Sequence, residues 1–160
     1  MFSPAFEALR REASIAAAAV DQGINGLTSA SYAATGNYLY AFLNLSTAYE
    51  RLGKLIFVLD HLLEHDVYPT DADLRKLGHK LSDIIDAANS IKSRRGIVTE
   101  EFPADEVTQG IIQTLSEFAT STRYYNLDYL VGGKSAGMTE PVAAWYGSVC
   151  KPILDKHYSS

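Results

Sequence analysis

The clearest pattern in the chain is a regular series of apolar residues between positions 38 and 63. Their spacing alternates between four and three without a break, and mostly polar or charged side chains occupy the positions between them. This period predicts a long helix that presents one apolar face to other helices along its length. The residues of that face are Tyr38, Phe42, Leu45, Tyr49, Leu52, Ile56, Leu59 and Leu63.

Helix start and stop signals divide the rest of the chain into further helices. Ser3 and Pro4 predict the start of a first helix, which should stop at Gly23 and be followed by a loop to residue 31. The long apolar helix then covers about 31–65. Thr70 and Asp73 resemble a capping box at the start of a third helix over about 71–92.

The C-terminal part of the chain predicts two more helices. A loop over 93–103 precedes a helix over about 104–131, which Gly132 should end. A last helix should cover about 141–154 and fray at Pro152. No segment favours a strand, so the sequence predicts an all-α, antiparallel four- to five-helix bundle forming one domain over 1–160. Inward positions of the fourth helix are Val107, Ile111, Leu115, Phe118, Tyr125 and Tyr129.

Composition narrows the function classes. The formal net charge of −5 argues against general binding of polyanions. A stretch of six cations against two anions over 75–95 nevertheless leaves two alternatives, a local basic site or a solvated helix face. Cys150 is the only cysteine, which excludes an internal disulfide. The uncharged stretch 22–49 is too polar for a bilayer helix, so we expect a cytoplasmic protein without a membrane span.

Two groups of residues could bind a ligand or carry chemistry. His79 should share a helix face with Arg75 and Asp83, where Asp83 could orient the imidazole and Arg75 could bind a phosphate. The alternative is that His79 fills a helix–helix contact beside Gly78.

The second group is the run 123–129. Arg123 can hold a phosphate with two hydrogen bonds, and its tyrosine neighbours can stack on bases. The alternative places Tyr125 and Tyr129 in the core, with Arg123 paired to a carboxylate. His61 and His65 lie one turn apart, but no Glu-x-x-His motif accompanies them. We therefore predict no metal site and no cofactor.

Three short runs resemble the HEPN superfamily of helical domains. They are Tyr-Glu-Arg-Leu-Gly-Lys-Leu at 49–55, Leu-Gly-His-Lys-Leu at 77–81 and Arg-Tyr-Tyr-Asn-Leu at 123–127. The resemblance covers roughly 32–131. It implies a four- to five-helix bundle that commonly dimerises, within a group rich in bacterial toxins, antiphage systems and RNA-processing factors.

The resemblance also bears on catalysis. Many HEPN ribonucleases carry arginine, four to six variable residues and then histidine, and cut RNA without a metal to leave a cyclic phosphate. Arg123 matches the arginine, but Asp128 stands at the histidine position and is followed by Tyr129. A carboxylate is ionised at neutral pH and is repelled by the scissile phosphate, so it replaces a proton-transferring histidine poorly.

These observations favour a homodimeric HEPN-like binding or regulatory module, and the resemblance implies a setting in bacterial defence or toxin–antitoxin biology. It would contact RNA or a nucleotide through a small set of basic, aromatic and amide side chains. One alternative is a ribonuclease with a rearranged site of Arg123, His79 and Asp128, and another is a bundle that binds only a protein partner. The expected ligand-binding residues are Arg123, Tyr124, Asn126, Arg75 and His79.

Overall fold

The computed structural model describes residues 2–99 and 104–158. These residues form helices joined by turns and loops, and the all-helical prediction is confirmed. None of the helices in the described ranges is long and apolar enough to cross a membrane. The α-helices are α1 (Pro4–Thr28), α2 (Thr35–His65), α3 (Asp71–Lys76), α4 (Leu81–Arg94), α5 (Glu106–Glu117), α6 (Tyr125–Val131), α7 (Pro141–Trp145) and α8 (Lys151–Tyr158).

Helix α1 begins where the sequence predicts but continues past its predicted end. The Ser3 hydroxyl accepts a hydrogen bond from the Phe6 amide at 3.2 Å and caps the first turn. The predicted stop at Gly23 and the loop after it are wrong, because α1 runs on to Thr28. A Cβ at Gly23 would lie 2.5 Å from Leu45 Cγ, so this glycine lets α1 and α2 approach closely within a continuous helix.

Helix α2 is 31 residues long and only part of its apolar face is covered. Phe42 is fully buried against Phe118 and Trp145, and Leu45, which lies against Gly23 of α1, is 8% exposed. Ile56 is 40% exposed and Leu63 is 72% exposed. The second half of the predicted apolar face is therefore only partly covered by other helices of the same chain.

The predicted third helix is two helices. The capping box at Thr70 and Asp73 is present and starts α3. The helix stops after one and a half turns, and Gly78 takes a left-handed conformation with φ of 63°. Helix α4 then starts at Leu81, whose amide donates a buried hydrogen bond to Ser116 Oγ of α5 at 3.1 Å. The single helix over 71–92 is wrong because this long-range partner satisfies the start of a new helix.

The predicted fourth helix is also interrupted. After α5 the chain forms a π-helical turn, Phe118–Thr122, and a short turn leads into α6. Tyr129 was predicted to face inward, but it is 66% exposed, whereas Tyr125 is half-buried. A second π-helical turn, Tyr146–Cys150, joins α7 to α8. Pro152 does not end the last helix, because α8 continues to Tyr158 beyond this wider turn.

Both π-helical turns contain a hydroxyl bonded to the carbonyl one turn earlier. Thr120 Oγ1 donates to the Ser116 carbonyl at 2.9 Å, and Ser148 Oγ donates to the Ala144 carbonyl at 2.7 Å. Such bonds compete with the backbone ladder and favour bending or widening of the helix.

The core lies where α2, α4, α5 and α7 meet. Phe42 is at its centre, with ring centroids 5.7 Å from Phe118 and 5.1 Å from Trp145. These aromatic contacts connect the first π-helical turn to α7 through α2. The buried cluster consists of Phe42, Leu45, Leu81, Ile84, Leu115, Phe118, Trp145 and Val149.

Candidate functional site

Arg123 borders a small cavity between α6 and the first turn of α7, which we call the arginine pocket. Its volume is about 190 Å³. The residue follows directly after the π-helical turn Phe118–Thr122, and such turns occur often at functional sites. The lining residues that matter here are Leu39, Arg123, Tyr124, Asn126, Glu140 and Pro141.

The arginine of this pocket is available to a ligand. Within residues 2–99 and 104–158, Arg123 has no ion pair and no hydrogen bond, and it is exposed. The predicted alternative, an arginine neutralised by a carboxylate, is therefore not found among the described residues. Tyr124 is 64% exposed and Asn126 is also exposed, so the pocket offers a cation, an aromatic face and an amide.

Glu140 is the acidic residue of the pocket, and it has a structural partner. Its carboxylate accepts a hydrogen bond from the Ala143 amide at 2.7 Å and caps α7. An anion beside Arg123 would still experience repulsion from this carboxylate. The local charge therefore limits how tightly one phosphate can bind.

Asp128 is occupied in organising the turn after α6. Its carboxylate accepts hydrogen bonds from the Ser135 amide at 2.9 Å and from Ser135 Oγ at 2.6 Å. The Ser135 hydrogen bonds lower the pKa of Asp128 below its ordinary value. A carboxylate held ionised in this way suits a structural anchor better than a group that exchanges protons.

His79 and Arg75 do not share the predicted helix face with Asp83, because the chain breaks between α3 and α4. His79 Nδ1 lies 2.9 Å from Glu50 Oε1 of α2, and Arg75 pairs with Asp71 at 2.7 Å. Asp83 pairs instead with Lys80. Neither His79 nor Arg75 lines the arginine pocket.

Glu50 is the centre of the group around His79. Burial acts to raise the pKa of Glu50, but hydrogen bonds and charges from Lys54 and His79 outweigh it, so the pKa is lowered. Lys54 Nζ lies 2.7 Å from Glu50 Oε1. The carboxylate thus fastens the turn between α3 and α4 to α2, which gives His79 a contact between helices.

The cations over 75–95 do not form a free basic surface. Five of the six pair with carboxylates, and Lys92 donates to the Thr99 carbonyl at 3.4 Å. The structure therefore matches the alternative of a solvated, internally neutralised face. The pairs are Arg75–Asp71, Lys76–Asp73, Lys80–Asp83, Arg94–Asp60 and Arg95–Asp60.

Asp60 is a buried carboxylate at the centre of an ionic cluster that the sequence did not reveal. Its side chain is 8% exposed and contacts Arg94 at 2.5 Å and Arg95 at 2.7 Å. Arg95 also donates to the Asp60 carbonyl at 2.9 Å. His61 and His65 lie nearby on α2 with ring centroids 4.4 Å apart. Over the described part of the chain, no group of three or more potential metal ligands occurs.

The described surface also carries apolar grooves. A groove of about 390 Å³ lies between α2 and α4, which we call the α2–α4 groove, and Leu52, Ile56 and Ile85 line it. A second groove of about 390 Å³, which we call the aromatic groove, adjoins α7 and includes Trp145 and Cys150. Burial raises the pKa of the Cys150 thiol despite a hydrogen bond from Trp145, which makes a thiolate nucleophile unfavourable.

Comparisons with protein-family models, with curated proteins and with solved structures gave no match to this chain. The resemblance to HEPN domains stays a prediction. The features of this chain that could bind a ligand or a partner are the arginine pocket, the aromatic groove and the exposed half of α2.

Proposed function

We propose that this chain is a helical binding or regulatory module that contacts RNA or a nucleotide through the arginine pocket. The observation that carries the proposal is Arg123, an exposed cation without a partner among the described residues, in a cavity with Tyr124 and Asn126. Arginine recognises phosphate through paired hydrogen bonds, and tyrosine and asparagine contact bases. A setting in bacterial defence or toxin–antitoxin biology is proposed from the HEPN resemblance alone.

The contacts of the other candidate residues support binding rather than RNA cleavage. A rearranged nuclease site needs His79 or Asp128 to move protons beside Arg123. Glu50 holds His79, and Ser135 holds Asp128 in its ionised form. Neither side chain lines the arginine pocket. We therefore expect bound RNA to be recovered intact.

Replacing Arg123 with alanine is expected to weaken binding of a short single-stranded RNA about tenfold. A charge-assisted hydrogen bond contributes about 1.5–3 kcal/mol, and 1.4 kcal/mol corresponds to a tenfold change in affinity. Fluorescence anisotropy at low salt measures this effect. Glu140→Gln should tighten binding, because it removes the repulsive charge while its amide oxygen can still accept the Ala143 hydrogen bond.

Arg11→Ala is the matched control for Arg123→Ala. Arg11 is also exposed and without an ion pair in the described ranges, but it lies on α1 outside the pocket. Equal losses in the two variants would show general charge attraction and contradict the proposed site. RNA cleavage that disappears in Arg123→Ala would instead support the ribonuclease alternative.

We also propose that the module is a homodimer that pairs through the exposed half of α2. The supporting observation is the series Leu52, Ile56, Leu59 and Leu63, all at least 36% exposed, which continues into the α2–α4 groove. A long apolar stripe left open on a helix typically marks an interface.

Substituting glutamate for Leu59 and Leu63 together is expected to convert the dimer to a monomer, because two charges would be buried at the contact. Light scattering at micromolar concentration measures the mass. The control is Leu130→Glu on α6, which is 78% exposed and should leave the mass unchanged. A wild-type protein that scatters as a single chain would refute the dimer.

A further inference from the structure

The arginine pocket is too small for a whole nucleotide, and a larger cavity lies beside it. Small-molecule sites usually have volumes of about 300–1,000 Å³. The arginine pocket has about 190 Å³, enough for a phosphate group, whereas the aromatic groove has about 390 Å³. Any ligand with a base, a sugar and a phosphate must therefore extend beyond the arginine pocket.

The two cavities are neighbours on the same two helices. Leu39 of α2 lines the arginine pocket and Tyr38 lines the aromatic groove. In α7, Pro141 lines the first cavity and Val142 lines the second. The first turn of α7 therefore separates them, and a ligand must cross about the width of one helix, roughly 10 Å, to occupy both.

One packed aromatic cluster holds the walls of both cavities. Trp145 is 7% exposed at the aromatic groove and packs on Phe42, which in turn packs on Phe118. Phe118 begins the π-helical turn that leads to Arg123, and Tyr146 begins the second such turn. The two sites are thus preorganised relative to each other through the core.

The chemistry of the aromatic groove differs from that of the arginine pocket. Among the described residues, none that lines it is charged. Tyr32 is 99% exposed and Tyr146 is 57% exposed, and neither hydroxyl has a hydrogen-bond partner within 2–99 and 104–158. Exposed aromatic faces without a cation suit the uncharged, planar bases of a nucleic acid rather than its phosphates.

We infer that the aromatic groove is a base-stacking subsite for a single-stranded RNA whose phosphate lies at Arg123. The inference rests on the proposed function and extends it from one phosphate contact to a strand of several nucleotides. Tyr146 is the stacking residue at the rim, and Trp145 forms the floor of the groove. The strand passes over the first turn of α7.

Trp145 provides a direct readout, because it is the only tryptophan in the chain and it lines the groove. A short oligouridylate should quench the fluorescence of Trp145. The quenching and the anisotropy should give the same midpoint concentration of RNA. A strand of abasic sugar phosphates should bind weakly without quenching. Adenosine monophosphate should quench far less well than the strand, and equal affinity would show a mononucleotide ligand and overturn the proposed strand.

Tyr146→Ala should weaken oligouridylate binding about tenfold, because it removes one base-stacking contact. Tyr146→Phe should bind as the wild type does, because the ring and not the hydroxyl stacks. The salt dependence separates the two subsites. Arg123→Ala should reduce the slope of log K against log salt by about 0.7, whereas Tyr146→Ala should leave the slope unchanged.

The outcomes distinguish the inference from the proposed function. No RNA binding at low salt would overturn both. Binding that depends on Arg123 but is unaffected by Tyr146→Ala and does not quench Trp145 would overturn the stacking subsite alone. Because Tyr146 is largely exposed, unchanged thermal unfolding of its variants is expected and verifies that they fold.

Discussion

Replacing Gly110 with alanine should lower the free energy of unfolding by about 2–3 kcal/mol, the upper part of the range for overpacking a core. A Cβ at Gly110 would collide with the Ser148 carbonyl oxygen and lie 2.9 Å from its carbonyl carbon. The obstacle is backbone, so no side-chain rotation relieves it. Helix α5 and the π-helical turn Tyr146–Cys150 would have to separate. Urea unfolding followed by circular dichroism measures the loss.

Gly147→Ala is the matched control for Gly110→Ala. It lies in the same π-helical turn as Ser148, but a Cβ there would meet nothing within 4 Å. Alanine costs less conformational entropy than glycine in a helix, so this variant should be up to about 1 kcal/mol more stable. Equal destabilisation in both variants would contradict the close contact between α5 and the turn. The Thr114–Ser148 hydrogen bond of 3.1 Å should be lost only in Gly110→Ala.

Local signals in the sequence predicted the starts and several ends of helices. Ser3 with Pro4, the Thr70–Asp73 capping box and Gly132 each act within one or two turns of the backbone they satisfy. The neighbouring residues alone therefore contain the information. The period of α2 was equally readable, because one helix face repeats in the sequence itself.

Interruptions and continuations were mispredicted where a distant partner decides them. Gly23 looks like a helix stop, but it lies within a helix, and its lack of a side chain makes room for Leu45. Leu81 looks like the interior of a helix, yet its amide bonds to Ser116, which lies 35 residues away. Sequence alone does not show which helix packs against which, so neither outcome was predictable from local pattern.

The candidate site was partly predictable for the same reason. Arg123, Tyr124 and Asn126 are close in sequence, and the structure keeps them around one pocket. Glu140 and the aromatic groove involve other helices, and neither was predicted as part of a site. His79 and Asp128 were grouped with Arg123 on chemical type, but each is held by its own partner. The signal available for Glu140 was its position before Pro141, which marks a helix start rather than a binding site.

Replacing Asp60 with asparagine should lower the free energy of unfolding by about 1.5–3 kcal/mol, the range for hydrogen bonds to charged groups. The asparagine keeps the shape but loses the charge that Arg94 and Arg95 share. The end of α4 would then be held to α2 by Glu64, which contacts Arg94 at 2.5 Å, and by the Arg95 hydrogen bond to the Asp60 carbonyl. Chemical denaturation of both proteins at neutral pH measures the difference.

Asp71→Asn is the control, because it removes an ion pair of the same type at the surface. Asp71 and Arg75 are 74% and 80% exposed, and solvent screens such pairs, so stability should hardly change.

The pH dependence gives a second test. Burial acts to raise the pKa of Asp60, but hydrogen bonds from Arg95 and Arg94 outweigh it and lower the pKa. A depressed pKa contributes stability above the unfolded value of about 3.9, and this stability is lost as the pH falls through the folded pKa. The difference in the free energy of unfolding between the wild type and Asp60→Asn should therefore become smaller below about pH 4. A difference that stays constant at acidic pH would show that the Asp60 charge does not hold the cluster.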